Sequence, residues 1–198
     1  LSNKFQIDLD FFRQHAINPT ITEIRGCGTS GQPFIEFGVS DVEAVQTGLT
    51  VSANFIPLDK IQIKPFITIQ NTQADNVPTS YLGDLDPNRR IINEDHEQTP
   101  TIVGGWFLNY SASSKLNINI SGYFHSGQTI YDYGRAPEFA LEYDGKVILN
   151  ATVTYSAKPW MSVFANARNL LADDTREFIN TERVDSYFGT GIRLNFKN

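Results

Sequence analysis

Residues 160–198, WMSVFANARN LLADDTREFI NTERVDSYFG TGIRLNFKN, decide the fold of this chain. Apolar and polar residues alternate over 161–168 and again over 187–196, and a charged segment separates the two runs. Successive side chains of a strand point to opposite faces, so each run predicts a strand with one apolar face and one polar face. The last part of the chain is therefore predicted to form two β-strands.

Six further runs alternate in the same way, each about ten residues long or shorter. They are residues 4–12, 49–55, 61–70, 102–110, 116–125 and 146–155. Short turns at 57–60, 111–115 and 156–159 alternate with long polar segments at 13–42, 71–100, 126–145 and 169–185. Outer-membrane β-barrels place long loops at one end and short periplasmic turns at the other. The pattern predicts an all-β, antiparallel up-and-down transmembrane barrel segment of about eight strands, with long extracellular loops.

The apolar rows of these runs carry aromatic residues near both ends. On the predicted periplasmic side they are Phe5, Phe55, Tyr110, Tyr155, Trp160 and Phe196, and on the outer side Phe11, Phe124 and Phe188. Two aromatic belts around an apolar band are typical of bilayer interfaces.

Two local features modify this scheme. Pro65 lies inside the run 61–70 and has no N–H for a ladder hydrogen bond, so we expect a bulge there. Turn signals at Asn18-Pro19 and Gly31-Gln32-Pro33 divide the first long segment. They indicate a small hairpin around residues 20–25 and 34–38.

Composition excludes some function classes. The chain has 198 residues, 40% of them hydrophobic, which suits one domain. A net charge of -6 argues against a nucleic-acid partner, which a basic surface would favour. No run approaches the roughly 20 apolar residues of a membrane-spanning helix. The opening residues lack the apolar stretch of a signal peptide, so we expect a processed or partial chain. Cys27 is the single cysteine and allows no internal disulfide.

The end of the chain resembles a known family. The run 163–171 (VFANARNLL) and the run 187–196 (YFGTGIRLNF) are similar to the C-terminus of TonB-dependent outer-membrane receptors. In that family an Asn-Leu-Leu-Asp-like run leaves the penultimate strand, and a Gly-rich strand ending on an aromatic finishes the barrel. Ala172, inserted before Asp173, and the trailing Lys197-Asn198 are small departures from this pattern.

The resemblance implies an outer-membrane localisation and a barrel of about 22 strands around an N-terminal plug. We expect residues 1–198 to be the C-terminal portion of such a barrel, with the plug outside this chain. The implied function is import of a scarce ligand, such as a siderophore, cobalamin or an oligosaccharide, using energy from TonB. The implied partners are outer-membrane lipid, a small-molecule ligand and the TonB complex, which acts through the plug; neither catalysis nor a cofactor is expected.

Candidate ligand-binding residues lie in the predicted outer segments. They are aromatic, basic and histidine side chains that could stack on a sugar or catecholate, or pair with an anionic chelate. The main candidates are Tyr81, Arg89, Arg90, His125, Tyr131 and Arg135, with Asp84, Asp86, His96 and Tyr133 beside them. Within the last strand, Gly191, Leu194 and Phe196 are the expected barrel-assembly signal.

No catalytic or metal site is expected. The three histidines, His15, His96 and His125, do not share ligand spacing. The acidic run after residue 83 mimics a calcium loop, but Arg89 stands where such a loop requires glycine.

Two alternatives remain open on the sequence alone. One is a self-contained eight-stranded outer-membrane barrel with a structural or adhesive role. The other is a soluble barrel that binds a small apolar ligand. The soluble barrel requires polar residues such as Asp8, Lys64 and Arg193 to lie on an outer, solvated face.

Overall fold

The computed structural model describes residues 4–17, 20–27, 33–39, 41–78, 90–91, 94–95, 97–131, 140–172 and 185–196. For residues 20–27, 33–39, 77–78, 90–91, 94, 130–131 and 140–141 the description covers the backbone only. Within this part of the chain the regular structure is β, and no helix there could cross a bilayer.

Fifteen strands occur in the described residues. They are β1 (Phe5–Ile17), β2 (Thr20–Cys27), β3 (Pro33–Val39), β4 (Glu43–Leu58), β5 (Ile61–Asp75), β6 (Val77–Pro78), β7 (Arg90–Ile91), β8 (Glu94–Asp95), β9 (Ile102–Ser111), β10 (Leu116–His125), β11 (Gln128–Tyr131), β12 (Ala140–Tyr143), β13 (Lys146–Lys158), β14 (Met161–Arg168) and β15 (Tyr187–Leu194).

Eight of these strands form one antiparallel meander. Their order in the sheet is β1-β4-β5-β9-β10-β13-β14-β15, and the short β8 adds to β5. Each long strand therefore pairs with the next long strand in the chain, as the alternating loop lengths predicted. In the described residues β1 and β15 are the two ends of this order.

The register places apolar residues opposite apolar residues across all eight strands. Examples from successive pairs are Leu9↔Val51, Leu49↔Ile69, Ile63↔Leu108, Ile120↔Leu108, Ile118↔Val153, Tyr155↔Val163 and Val163↔Ile192. We call this surface the apolar face, and the opposite surface the polar face. The period-2 pattern of each strand has thus become one continuous apolar surface.

The apolar face is exposed rather than covered by a second layer. Phe11 is 75% exposed and Ile192 66% exposed. Among the described hydrophobic side chains only Val42 and Ala74 are buried. Since a water-soluble domain buries such side chains in a core, this sheet is suited to contact with an apolar environment.

The ends of the sheet differ in their connections. The edge with the turns 59–60, 112–115 and 159–160 is called the turn end, and the opposite edge the loop end. At the turn end, the Lys4 ammonium lies 2.9 Å from the Asp59 carboxylate. The hydrogen bond from Lys4, together with its positive charge, lowers the pKa of Asp59.

Aromatic residues mark the turn end of the apolar face. Phe5 and Phe55 are register partners, and their rings meet edge to face with centroids 5.7 Å apart. Tyr110 and Tyr155 pair with the first residues of neighbouring strands at the same edge. The predicted belt of aromatics on this side is therefore present in the fold.

The loop-end connections contain continuations of the strand pairs. The pair Gln128↔Tyr143 keeps the register of His125↔Lys146, three residues further along each strand. In the same way β6–β7 continues the register of β5–β8. The β2–β3 hairpin confirms the predicted small hairpin of the first long segment.

The prediction of a bulge at Pro65 is wrong. The pairs Ser52↔Phe66 and Phe55↔Ile63 share one register, and Pro65 itself pairs with Trp106. The Gln70 N–H bonds to the Thr101 carbonyl on the β9 side. Because hydrogen-bonding direction alternates along a strand, the missing N–H of Pro65 faces β4. The register shift between β4 and β5 falls instead between Phe55 and Leu58, next to the turn.

Candidate functional site

A cleft opens at the loop end, above the centre of the sheet. Its volume is about 460 Å³, within the range of small-molecule sites. Three chain segments supply the walls: the outer part of β5 with β8, the approach to β9, and the β11–β12 hairpin. The lining residues are Asn71, Asp95, Glu97, Thr99, Thr101, Gly127, Gln128, Thr129, Glu142, Tyr143 and Asp144.

Backbone and side-chain hydrogen bonds hold these segments together. The Thr129 N–H donates to the Glu97 carbonyl over 2.9 Å and joins the β11–β12 hairpin to the approach to β9. The Asn71 amide donates to the Asp95 carboxylate over 3.2 Å and joins β5 to β8. The Ser126 N–H donates to the Ile102 carbonyl below the cleft. The cleft therefore rests on paired backbone at each wall.

The lining of the cleft is rich in hydrogen-bond acceptors. Its four carboxyl groups belong to Asp95, Glu97, Glu142 and Asp144, and no lysine, arginine or histidine occurs among the described lining residues. The carboxyl groups do not converge, since no three His, Cys, Asp or Glu side chains in the described residues are placed to hold a metal ion. Their combined charge disfavours an anionic ligand at this position.

Toward the turn end, the polar face carries a network of amides. The Gln62 amide donates to Asn54 over 2.8 Å across β4 and β5. On the next strands, Asn117 donates to Asn109 over 2.9 Å, and Asn119 donates to Asn117 over 2.7 Å. Asn117 also donates to the Ser111 hydroxyl, so it joins three polar side chains of β9 and β10.

Three aromatic side chains interrupt this polar surface near the middle of the sheet. Phe66 and Tyr123 are the register partners of Gly105 on its two sides, and Phe107 follows two residues later on β9. The Phe66 ring lies over Gly105, where an added Cβ would be 2.9 Å from its Cε1 atom. Phe66 and Phe107 are each 38% exposed, and Tyr123 is 41% exposed. We call these three residues the aromatic patch.

Comparison with solved structures decides the fold. The chain is similar to the ferric-catecholate import receptor Fiu from E. coli K12 in its closed form, with a TM-score of 0.65 and 15% identity over 99% of this chain. A mutant of the ferric enterobactin receptor PfeA of Pseudomonas aeruginosa also has a TM-score of 0.65 and 15% identity over 99% of this chain. For the ferripyoverdine receptor of the Pseudomonas aeruginosa outer membrane, the TM-score is 0.61 and the identity 11% over 98% of this chain. The chain has the fold of a TonB-dependent receptor barrel.

This chain spans less than a third of the length of each of these receptors. It matches 26% of the Fiu chain, 29% of the PfeA chain and 25% of the ferripyoverdine receptor. No family model matches the sequence, and no curated protein does. The structural neighbours are transport receptors rather than enzymes.

Several of the candidate residues lie outside the described residues. These are Tyr81, Asp84, Asp86, Arg89, His96, Tyr133 and Arg135. Arg90 lies in β7 and Tyr131 in β11, where only the backbone is described. These two strands belong to the loop-end pairs β6–β7 and β11–β12.

His125 is the candidate whose side chain is described. It ends β10 on the polar face, two residues before Gly127, which lines the cleft, and is half-buried. Its Nδ1 atom lies 2.9 Å from the Ser126 carbonyl, and its ring centroid 6.4 Å from that of Tyr123. Along the chain His125 therefore lies between Tyr123 of the aromatic patch and Gly127 of the cleft.

The sequence did not group the four carboxylates that line the cleft. Asp95, Glu97, Glu142 and Asp144 come from segments more than forty residues apart, and no local motif joins them. The signal that could have found them is the register of β10 with β13. Extended beyond His125↔Lys146, it places Gln128 opposite Tyr143.

Proposed function

We propose that this chain forms part of the barrel wall of an outer-membrane receptor that captures a scarce small molecule and imports it. The observation that carries the proposal is the exposed apolar face, which is continuous through the register of eight strands. Lipid is the environment that such a face requires, while the polar face suits an aqueous lumen. Likeness to solved outer-membrane receptors supports the same placement.

In this proposal the loop end is extracellular and the turn end is periplasmic. Ligand capture takes place at the loop-end cleft and at the neighbouring hairpins. The residues proposed to contact ligand are Tyr81, Arg89, Arg90, His125, Tyr131 and Arg135. Passage then follows the polar face, with energy supplied by the TonB complex through a plug domain upstream of residue 1.

A segment of a larger barrel is favoured over a small closed one. The described pairing order runs from β1 to β15 and leaves these strands at opposite ends of the sheet. Further strands of the same receptor would cover both edges, because an edge strand in lipid needs partners for its backbone groups. Residues 1–198 are then the C-terminal portion of the barrel.

Thiol labelling tests this orientation. In the full-length protein with Cys27→Ser, two variants carry single cysteines: Asp144→Cys at the loop end and Ser114→Cys in the exposed turn 112–115. A membrane-impermeant maleimide added to intact cells should label the Asp144→Cys variant only. The Ser114→Cys variant should become reactive after the outer membrane is opened. Labelling of both variants in intact cells, or recovery of the protein outside the outer-membrane fraction, would contradict the proposal.

A further inference from the structure

The Asn-Leu-Leu run that follows β14 has an inverted burial pattern. Asn169 is 4% exposed, whereas Leu170 is 38% exposed and Leu171 is 53% exposed. The φ angle of Asn169 is 50°, in the left-handed region that asparagine adopts more readily than most residues. A buried polar residue beside exposed leucines indicates that hydrogen bonds, rather than apolar packing, hold this position.

The hydrogen bonds at Asn169 join three strands. Its N–H donates to the side-chain oxygen of Asn150 on β13 over 3.1 Å. The hydroxyl of Ser186, the residue before β15, donates to the Asn169 carbonyl over 2.6 Å. The same carbonyl accepts from the Ala172 N–H, which closes a turn directly after β14. We call Asn150, Asn169 and Ser186 the asparagine corner.

The connection between β14 and β15 does not fix their register. A short turn, 159–160, joins β13 to β14, and a turn of this kind sets the register of its hairpin. The connection from β14 to β15 is long, since Asn169 and Ser186 are 17 positions apart in the chain. Closing such a segment costs nearly the same entropy in a register shifted by two residues.

The alternation of apolar and polar residues does not select the register either. A shift of two residues keeps every side chain on its own face, because the faces alternate with a period of two. Thr190, the partner of Ala165, would then lie opposite Ala167, and one apolar row would still face the other. On the polar face, the Phe164 ring over Gly191 opposes this shift near the middle of the strand pair.

We propose that the asparagine corner sets the register of the last strand, β15, during assembly of the barrel. At the loop end the described pairing of β14 with β15 stops at Arg168↔Tyr187, and Ser186 comes next, beside Asn169. A shift of two residues would move Ser186 by about 7 Å along the strand and break its bond to the Asn169 carbonyl. Asn169 itself would stay in place, because Asn150 on β13 still accepts its N–H. The corner therefore favours one register over the shifted one, whichever ligand the receptor takes.

Disulfide cross-linking during assembly tests the inference. The full-length receptor with Cys27→Ser is pulse-labelled in cells and oxidised while it enters the outer membrane. Ala165→Cys together with Thr190→Cys reports the observed register, and Ala167→Cys together with Thr190→Cys reports the shifted register. All of the labelled receptor is scored, folded or not. In the parent protein we expect the first cross-link to dominate.

Matched variants separate a role in register from a role in stability. Ser186→Ala and Asn150→Ala each remove one side-chain hydrogen bond of the corner and should raise the fraction of shifted cross-link about fivefold over the parent. Ser186→Thr keeps the hydroxyl and Asn150→Asp keeps an acceptor oxygen, so both should stay within about twofold of the parent. Asn117→Ala removes hydrogen bonds between β9 and β10 and should leave the shifted fraction unchanged.

Three results would overturn the inference. One is a shifted fraction that stays at the parent level in Ser186→Ala and Asn150→Ala. Another is an equal rise in Asn117→Ala, which would make the effect one of general stability. The third is loss of both cross-links in the corner variants, which would mean that β15 needs the corner in order to pair at all. Correct thiol labelling at Asp144→Cys and Ser114→Cys would leave the receptor function standing in each case.

Discussion

The ring of Phe164 on β14 lies directly over Gly191 on β15. The two residues are register partners on the polar face, and a Cβ added to Gly191 would lie 2.5 Å from the ring Cζ atom. Similar pairs occur where Phe12 lies over Gly48 and Phe66 over Gly105. Glycine in a strand costs stability, and an aromatic ring packed across it restores contact area. Gly191, predicted as part of an assembly signal, thus also has a packing role.

The first prediction concerns this pair. Gly191→Ala should destabilise the barrel by about 1–3 kcal/mol, because its Cβ displaces the Phe164 ring, and this loss exceeds the 0.5–1 kcal/mol that alanine gains over glycine in a strand. In a Phe164→Ala background the same substitution should be neutral or stabilising. Urea unfolding in lipid vesicles measures both differences.

Gly105 provides the contrasting case. A Cβ there would lie 2.6 Å from the Gly122 carbonyl oxygen as well as 2.9 Å from Phe66. Removing the ring with Phe66→Ala leaves the backbone clash, so Gly105→Ala should remain destabilising in both backgrounds. If removing the ring restored stability equally to the Gly105→Ala and Gly191→Ala variants, contact with the ring would not be the cause of the destabilisation.

The second prediction tests which face meets lipid. Ile118→Arg places a guanidinium on the apolar face of β10 and should cost about 2–4 kcal/mol at mid-bilayer depth. Ser121→Arg lies on the same strand, on the polar face, and should cost less than about 1 kcal/mol. The same unfolding assay compares the two variants. A similar cost at both positions would show that the apolar face and the polar face have been assigned wrongly.

The sequence predicted most of the sheet because its strands alternate strictly where one face meets an apolar environment. Leu116–His125 and Lys146–Lys158 show this most clearly, and their pairing matches the prediction. The loop-end extensions were missed. Over 43–48, β4 presents Glu43, Gln46 and Thr47 without a strict apolar row, so the period-2 signal disappears although the backbone pairing continues.

The cleft could not be predicted because it depends on register between distant segments. Asn71 reaches Asp95 only because β8 pairs with β5, and Glu97 meets Thr129 through the backbone. Neither contact has a local sequence pattern. The face of the sheet on which each apolar side chain lies, by contrast, follows directly from the alternation of apolar and polar residues in the sequence.

The third prediction concerns the ion pair at the turn end. Lys4 lowers the pKa of Asp59 below its ordinary value of 3.8, so the pair contributes stability above that value and loses it as pH falls through the lowered pKa. Carboxyl carbon chemical shifts during an acid titration measure this pKa. Lys4→Met should raise the pKa of Asp59 toward 3.8. The effect on unfolding should be small, because both side chains are exposed.

The fourth prediction concerns the end of the last strand. β15 ends at Leu194. The N–H of the next residue, Asn195, donates to the Trp160 carbonyl. Phe196 follows and is 80% exposed. A ring at this edge belongs to the turn-end aromatics and anchors the strand at the bilayer interface. Deleting Phe196 should therefore slow barrel assembly in the outer membrane, while Phe196→Tyr should preserve it. Pulse-chase labelling that resolves folded from unfolded barrel gives the rate. Unchanged assembly after deletion would show that the terminal aromatic is dispensable and leave the anchoring of β15 to Leu194 and the Asn195–Trp160 hydrogen bond.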